Sequence, residues 1–190
     1  MSSTNAPFGL RPAFHPSGLD RAQALAGGIA SGYGSDILKG QPVKYVTGGT
    51  IQPAAAGDSF AGAFAGVEFT DTTGRRRVSN YWPASTAYQT GSCVAYFYND
   101  PNIVYEIQAA GSLPQSSIGD MADLSNTTAG STVTGLSQAT LSSTLAGAGN
   151  SAQMRIVDIA PYPDNAWGDA YTIVRVTINE SQFNASVNAI

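Results

Sequence analysis

Bulky apolar residues recur at every second position through much of the chain, and no stretch sustains the 3.6-residue period of an amphipathic helix. The densest run is Cys93–Ala110. There Val94, Tyr96 and Tyr98 alternate with Ala95 and Phe97, and Ile103, Tyr105 and Ile107 alternate with Val104, Glu106 and Gln108. Asn99-Asp100-Pro101-Asn102 lies between the two runs and favours a turn, through side-chain-to-backbone bonding and a fixed proline φ. This pattern predicts a β-hairpin. Its first strand is bulky on both faces and is expected inside a sheet covered on both sides, its second half-exposed through Glu106 and Gln108.

The remaining elements are shorter. Residues 36–46 predict a short strand, a turn and a second strand, and Thr50–Gln52 another β segment. Phe60–Phe69 alternates small with aromatic residues, and Gly62 and Gly66 within it suggest a bulge or tight curvature. Thr70–Val78 reads as a loop carrying Arg75, Arg76 and Arg77. Ile118–Leu124 reads as a short strand or turn, and 125–152, nearly uncharged and rich in small residues, as a long loop with an irregular hairpin. Met154–Ile159 and Ala170–Ile178 are strands separated by a proline-containing loop, and 179–190 is a tail. The fold class expected is all-β, a sandwich or barrel of short antiparallel strands with long loops.

Residues 1–35 differ from the rest. Pro7, Pro12 and Pro16 and scattered glycines break any period, leaving Phe8, Phe14 and Tyr33 as isolated aromatics, with at most a helical turn or two over Asp20–Ala26. They predict an extended arm whose aromatics seek pockets on this domain or a neighbouring subunit. The expected organisation is therefore an arm, 1–35, and a single β domain, 36–190, a length able to bury about 70% of the surface its unfolded form would expose.

Composition narrows the function. Charged residues make up only 12% of the chain, about half the usual share. The net charge of −4 hides an asymmetry. Residues 1–95 hold seven Lys/Arg against five Asp/Glu, and 96–190 two against eight. A single basic nucleic-acid-binding face is not expected. No apolar run approaches the ~18 residues of a membrane-spanning helix, and the N-terminus lacks the basic-then-apolar order of a signal peptide. The single Cys93 excludes an internal disulfide, and it is expected to be a small core residue.

Catalytic chemistry finds no purchase. The one histidine, His15, lies in the proline-rich arm, without the rigid surroundings a general base requires. There is no G-x-S-x-G, P-loop or H-E-x-x-H. Asp120 with Asp123, and Asp164 with Asp169, lack calcium-loop spacing, and Glu68, Glu106 and Glu180 sit on separate strands or strand ends. No cofactor, metal or enzymatic activity is expected. Candidate contact residues are Phe8, Arg11 and Phe14, as anchors of the arm, and Arg75, Arg76 and Arg77, as a cationic grip on acidic groups. Trp82 and Trp167 lie in loops beside proline or glycine and admit an alternative, sugar-stacking role in a phage tail or receptor-binding module.

Four stretches taken in order carry a resemblance: APFGLRPAFHPSG, LKGQPVKY, DPNIVYEIQAAG followed by SSIGDMADL, and MRIVDIAPYPDNAWGDAYTIVRVTIN. Their order and spacing are similar to the capsid cement or decoration proteins encoded beside the major capsid protein in tailed bacteriophages. The resemblance implies a non-enzymatic β protein that is made in the host cytoplasm. It would assemble as a homotrimer on the outer surface of the virion's capsid and, by binding the major capsid protein, bridge capsomers against internal DNA pressure. The family implies no catalytic residues.

Overall fold

The computed structural model describes residues 2–18 and 22–184. Among the described residues fourteen strands run in chain order: β1 Arg11–Phe14, β2 Gln23–Ala26, β3 Pro42–Tyr45, β4 Ile51–Pro53, β5 Gly62–Thr70, β6 Arg76–Ser79 and β7 Val94–Tyr98. They continue with β8 Val104–Gln108, β9 Met121–Ser125, β10 Gly130–Ser131, β11 Leu136–Ser137, β12 Thr140–Leu145, β13 Met154–Ile159 and β14 Ile173–Ile178. The fold is all-β, as the alternation predicts. Among the described residues no helix is long and apolar enough to cross a membrane.

Two antiparallel sheets make up an open sandwich of short strands. The first has the order β1-β8-β14-β13-β9-β12, the second β2-β7-β5-β3-β4 with β6 also on β5, while β10 and β11 form a small hairpin. The first sheet curls until β12 comes back beside the end of β8 through one bridge, Ala109 to Leu141, without closing into a barrel. Inside the curl lie Tyr105, Ile107, Leu124, Met154, Ile156, Val174 and Val176. The second sheet buries Val43, Ile51, Phe64, Val67, Ala95 and Phe97 together with Ile29, Ile37, Trp82 and Cys93 from the covering loops. Burial pushes the Cys93 thiol up, which leaves it inert, as expected of a small core residue.

The expected hairpin does not form, although both of its strands do. β7 is flanked by β2 and β5 in the second sheet, and β8 by β1 and β14 in the first, so both hydrogen-bonding edges of each strand are taken. The turn at 99–102 is a crossover between sheets. It is held by the Asp100 side chain on the Asn102 N–H at 2.9 Å and by the Ile103 N–H on the Asp100 carbonyl at 3.2 Å. Exposure is also the reverse of the expectation. β7 alternates buried with half-buried positions, whereas all five residues of β8 are buried.

β8 is buried because its outward polar side chains are covered and bonded. Gln108 accepts from the Ala6 N–H at 2.9 Å and donates to the Thr4 carbonyl at 3.0 Å, clamping the N-terminal segment over the strand. Two other buried glutamines join separate parts of the chain in the same way. Gln153 accepts from the Leu124 N–H and donates to the carbonyls of Ala55 and Asp58, and Gln41 accepts from the Leu38 N–H and donates to the Thr127 carbonyl. A buried amide whose oxygen and nitrogen are both bonded ties two segments together at little desolvation cost.

The segment read as an extended arm is woven into both sheets. β1 pairs with β8 and β2 with β7, and Leu10 and Ile29 are fully buried. Residues 19–21 lie outside the described residues, and Gln23–Ala26, within the stretch that admitted at most a helical turn or two, is a strand, because pairing with β7 supplies its backbone bonds. A bulge interrupts the β5–β7 register between Phe64 and Gly66. Gly62 is required by close approach: a Cβ there would stand 1.6 Å from the Tyr98 carbonyl oxygen. The long 125–152 segment supplies the β10–β11 hairpin and also β12, which pairs with β9.

Candidate functional site

Two of the candidate groups form surface constellations of very different kinds. The first is built on β1, β8 and β14. Arg11 stands directly across β8 from Glu106, and Arg175 of β14 stands across from the same Glu106 on the other side. One carboxylate in the middle strand therefore serves a cation on each flank, the favourable arrangement for opposed cross-strand side chains. Arg11 Nη2 lies 2.7 Å from Glu106 Oε2, Tyr162 donates its hydroxyl to the same oxygen at 2.5 Å, and Arg175 Nε is 3.6 Å from Oε1. Arg11 also donates to the Tyr162 hydroxyl oxygen.

Aromatic rings complete the strip. The Arg11 guanidinium lies 4.5 Å from the Phe8 ring centre and 5.9 Å from that of Tyr162, and Arg175 lies 5.3 Å from that of Phe14. These are cation–π distances. Glu106 is 7% exposed and Phe14 43%, so a buried carboxylate organises cations and rings that face outward. Burial pushes the Glu106 carboxyl up, but the Tyr162 and Arg11 hydrogen bonds and the two arginine charges outweigh it and hold the group below the ordinary glutamate value. The Tyr162 hydroxyl is pushed up by burial and by the same carboxylate.

The structure thus brings Phe8, Arg11 and Phe14 together on one surface. Sequence reasoning missed Glu106, Tyr162 and Arg175 as their partners. A signal was present, since Glu106 in VYEIQ and Arg175 in IVRVTI are lone opposite charges within otherwise apolar strands.

The second group, Arg75 to Arg77, is not the loop tip expected. Arg76 and Arg77 belong to β6, an edge strand paired to the end of β5. Arg76 pairs with Glu68 at 2.6 Å and Arg77 with Asp71 at 3.0 Å. Asp71 organises the turn before β6, accepting from the Thr73 hydroxyl and the backbone N–H groups of Thr73 and Arg75. The Thr73 hydroxyl, the Arg75 N–H and the Arg77 guanidinium hold its carboxyl well below the usual range despite some desolvation. Of the three arginines, only Arg75 has a guanidinium without a partner among the described residues.

The other sequence candidates fall into place plainly. Trp82 is fully buried, edge-on to Phe69 and Tyr88, and so offers no ring to a sugar, whereas Trp167 packs against the first core and stays half-buried. His15 lies between Ser17 Oγ, 2.6 Å from Nδ1, and Asp100 Oδ2, 3.1 Å from Nε2. The line-up resembles a nucleophilic triad, but the Ser17 backbone N–H bonds the same Nδ1 at 3.0 Å. Serine and histidine two residues apart thus make a local turn, which Asp100 ties to the crossover. Among the described residues no group of three or more His, Cys, Asp or Glu could hold a metal ion.

Compared with protein-family models, with curated proteins and with solved structures, the chain matches none.

Proposed function

We propose that this chain is a non-enzymatic structural protein of a tailed bacteriophage, binding the outer surface of the capsid as a homotrimer and bridging neighbouring capsomers. The observation that carries the reading is the strip of Phe8, Arg11, Phe14, Tyr162 and Arg175 around the buried Glu106. Interface anchors are enriched in arginine and aromatic residues, and here they are held in place by the Glu106 carboxylate and by one another, Arg11, Phe14 and Arg175 on paired strands and Phe8 and Tyr162 beside them, so little side-chain entropy remains to be lost on docking. The four-part sequence resemblance supports the same reading and names the major capsid protein as the partner.

Because β1 is a strand of the first sheet and Leu10 is in its core, removing the N-terminus would damage the fold as well as the contact. The test therefore leaves the chain whole. Undecorated phage shells are heated with and without the purified protein, and the temperature of shell disruption is recorded alongside the solution mass of the free protein by light scattering. A rise in disruption temperature that saturates with added protein, together with a mass of three chains, is the expected result. Shells that disrupt at the same temperature with saturating protein would overturn the reading.

A further inference from the structure

An apolar opening of about 380 Å³ lies between the two sheets, beside β1. Its floor is made by Leu10, which belongs to the first core, and Phe64, which belongs to the second, so the opening reaches the seam where the two cores meet. Pro12, Tyr98 and Leu136 form the walls, and Leu136 is 42% exposed. This size is at the lower end of ligand pockets and suits one large side chain. Pro12 has no N–H to offer, so an incoming strand cannot be read through continuous backbone pairing along β1.

Polar groups at the rim are one-sided. Lys39 lies on it, exposed, and its ammonium has no partner among the described residues. Arg11 also lines the opening, and Glu106 and Tyr162 engage only its Nη2. Lys39 is fixed by backbone bonds on both sides: its N–H donates to the Gly135 carbonyl at 2.9 Å, and its carbonyl accepts from the Ser137 N–H at 2.9 Å. A rigid apolar floor beneath an unpaired ammonium and a half-used guanidinium is complementary to an apolar group next to a negative charge.

We propose that this pocket receives a segment of a partner chain in which a large apolar side chain is followed by a carboxylate. The apolar group sits over Leu10 and Phe64, and the carboxylate lies between Lys39 and Arg11. The inference deepens the capsid-surface reading and rests on it for the source of the segment; the pocket's chemistry rests on the residues just named.

The test uses the full chain, labelled with nitrogen-15, and the capped peptide acetyl-Gly-Phe-Asp-Gly-amide. Three relatives carry Ala in place of Phe, or Asn or Lys in place of Asp. Saturable amide shifts at Gly40, Phe64 and Leu136 are expected. The Ala peptide should bind about tenfold more weakly or worse, since it forfeits most of the buried area. The Asn peptide should lose roughly two- to fivefold, a difference that shrinks as salt rises, and Lys39→Glu should reverse the order of the Asp and Lys peptides. Absence of saturable shifts at millimolar peptide, or equal affinity for the Asp and Lys peptides, would overturn the proposal. The two readings separate cleanly: peptide binding without shell binding removes the capsid as the source of the segment, and shell binding without peptide binding removes the pocket.

Discussion

The two arginine groups of this protein differ in exposure, the β6 pair standing further out into water, and in what they have left to offer. Arg11 is drawn over two aromatic rings toward a carboxylate that Arg175 and Tyr162 share, so its position is fixed by several strands at once. Arg76 and Arg77 are each satisfied by one neighbour on the adjoining strand or turn, with their own side chains largely in water. A cluster of like charges in a sequence therefore says little about a binding surface. What matters is whether the charges are already spent at home, and whether apolar surface stands beside them.

The largest effect should come from the carboxylate at the centre of the strip. Glu106→Ala leaves Arg11 and Tyr162 without their common acceptor and Arg175 without its counter-charge, and is expected to cost about 2–3 kcal/mol. In a chain of this size that is a fall of roughly 4–12 °C in Tm, read by thermal unfolding. Glu68→Ala, the corresponding change beneath Arg76, should lower Tm by clearly less because that pair is exposed and screened by solvent. Equal losses would break the distinction between the two regions.

Next in size is the effect of acid on the turn before β6. The Asp71 carboxyl is depressed in the folded chain, so its contribution is present above the ordinary aspartate range and is lost as pH falls through and below it. Between about pH 5 and pH 2 the native chain should lose more stability than Asp71→Asn, which has no carboxylate to protonate. Unfolding curves across that window would show parallel slopes if the Asp71 bonds contribute nothing. The smallest effect belongs to the strand arginines: Arg76→Ser with Arg77→Ser should leave Tm close to that of the native chain, less changed than by Glu106→Ala. A larger loss would mean that β6 depends on these pairs for its place at the sheet edge.

Much of the strand content was legible in the sequence, because β7, β8, β13 and β14 are runs of β-branched, aromatic and long apolar residues that fit a pleated, buried surface. Pairing was not. Alternation fixes which side chains share a face but not which strand lies alongside, so the runs on either side of Asn99–Asn102 read as one hairpin although they serve different sheets. Nor could the polar residues of β8 be recognised as buried, since Glu106 and Gln108 owe their burial to Arg11, Tyr162 and the backbone of residues 4–6, distant in the chain. Phe8, Arg11 and Phe14 stood out as anchors for want of a local core. The strand pairing of Arg11 and Phe14 was hidden by the prolines, which an edge strand such as β1 tolerates.

The most direct test of the account is co-sedimentation of the purified chain with undecorated shells, comparing the native sequence with a variant carrying Phe8→Ser and Phe14→Ser, after circular dichroism has shown the same strand content in both. The account expects saturable pelleting of the native chain and at least a tenfold weaker association for the variant. Native protein that stays in the supernatant at every shell concentration, or a variant that pellets equally well, would contradict it.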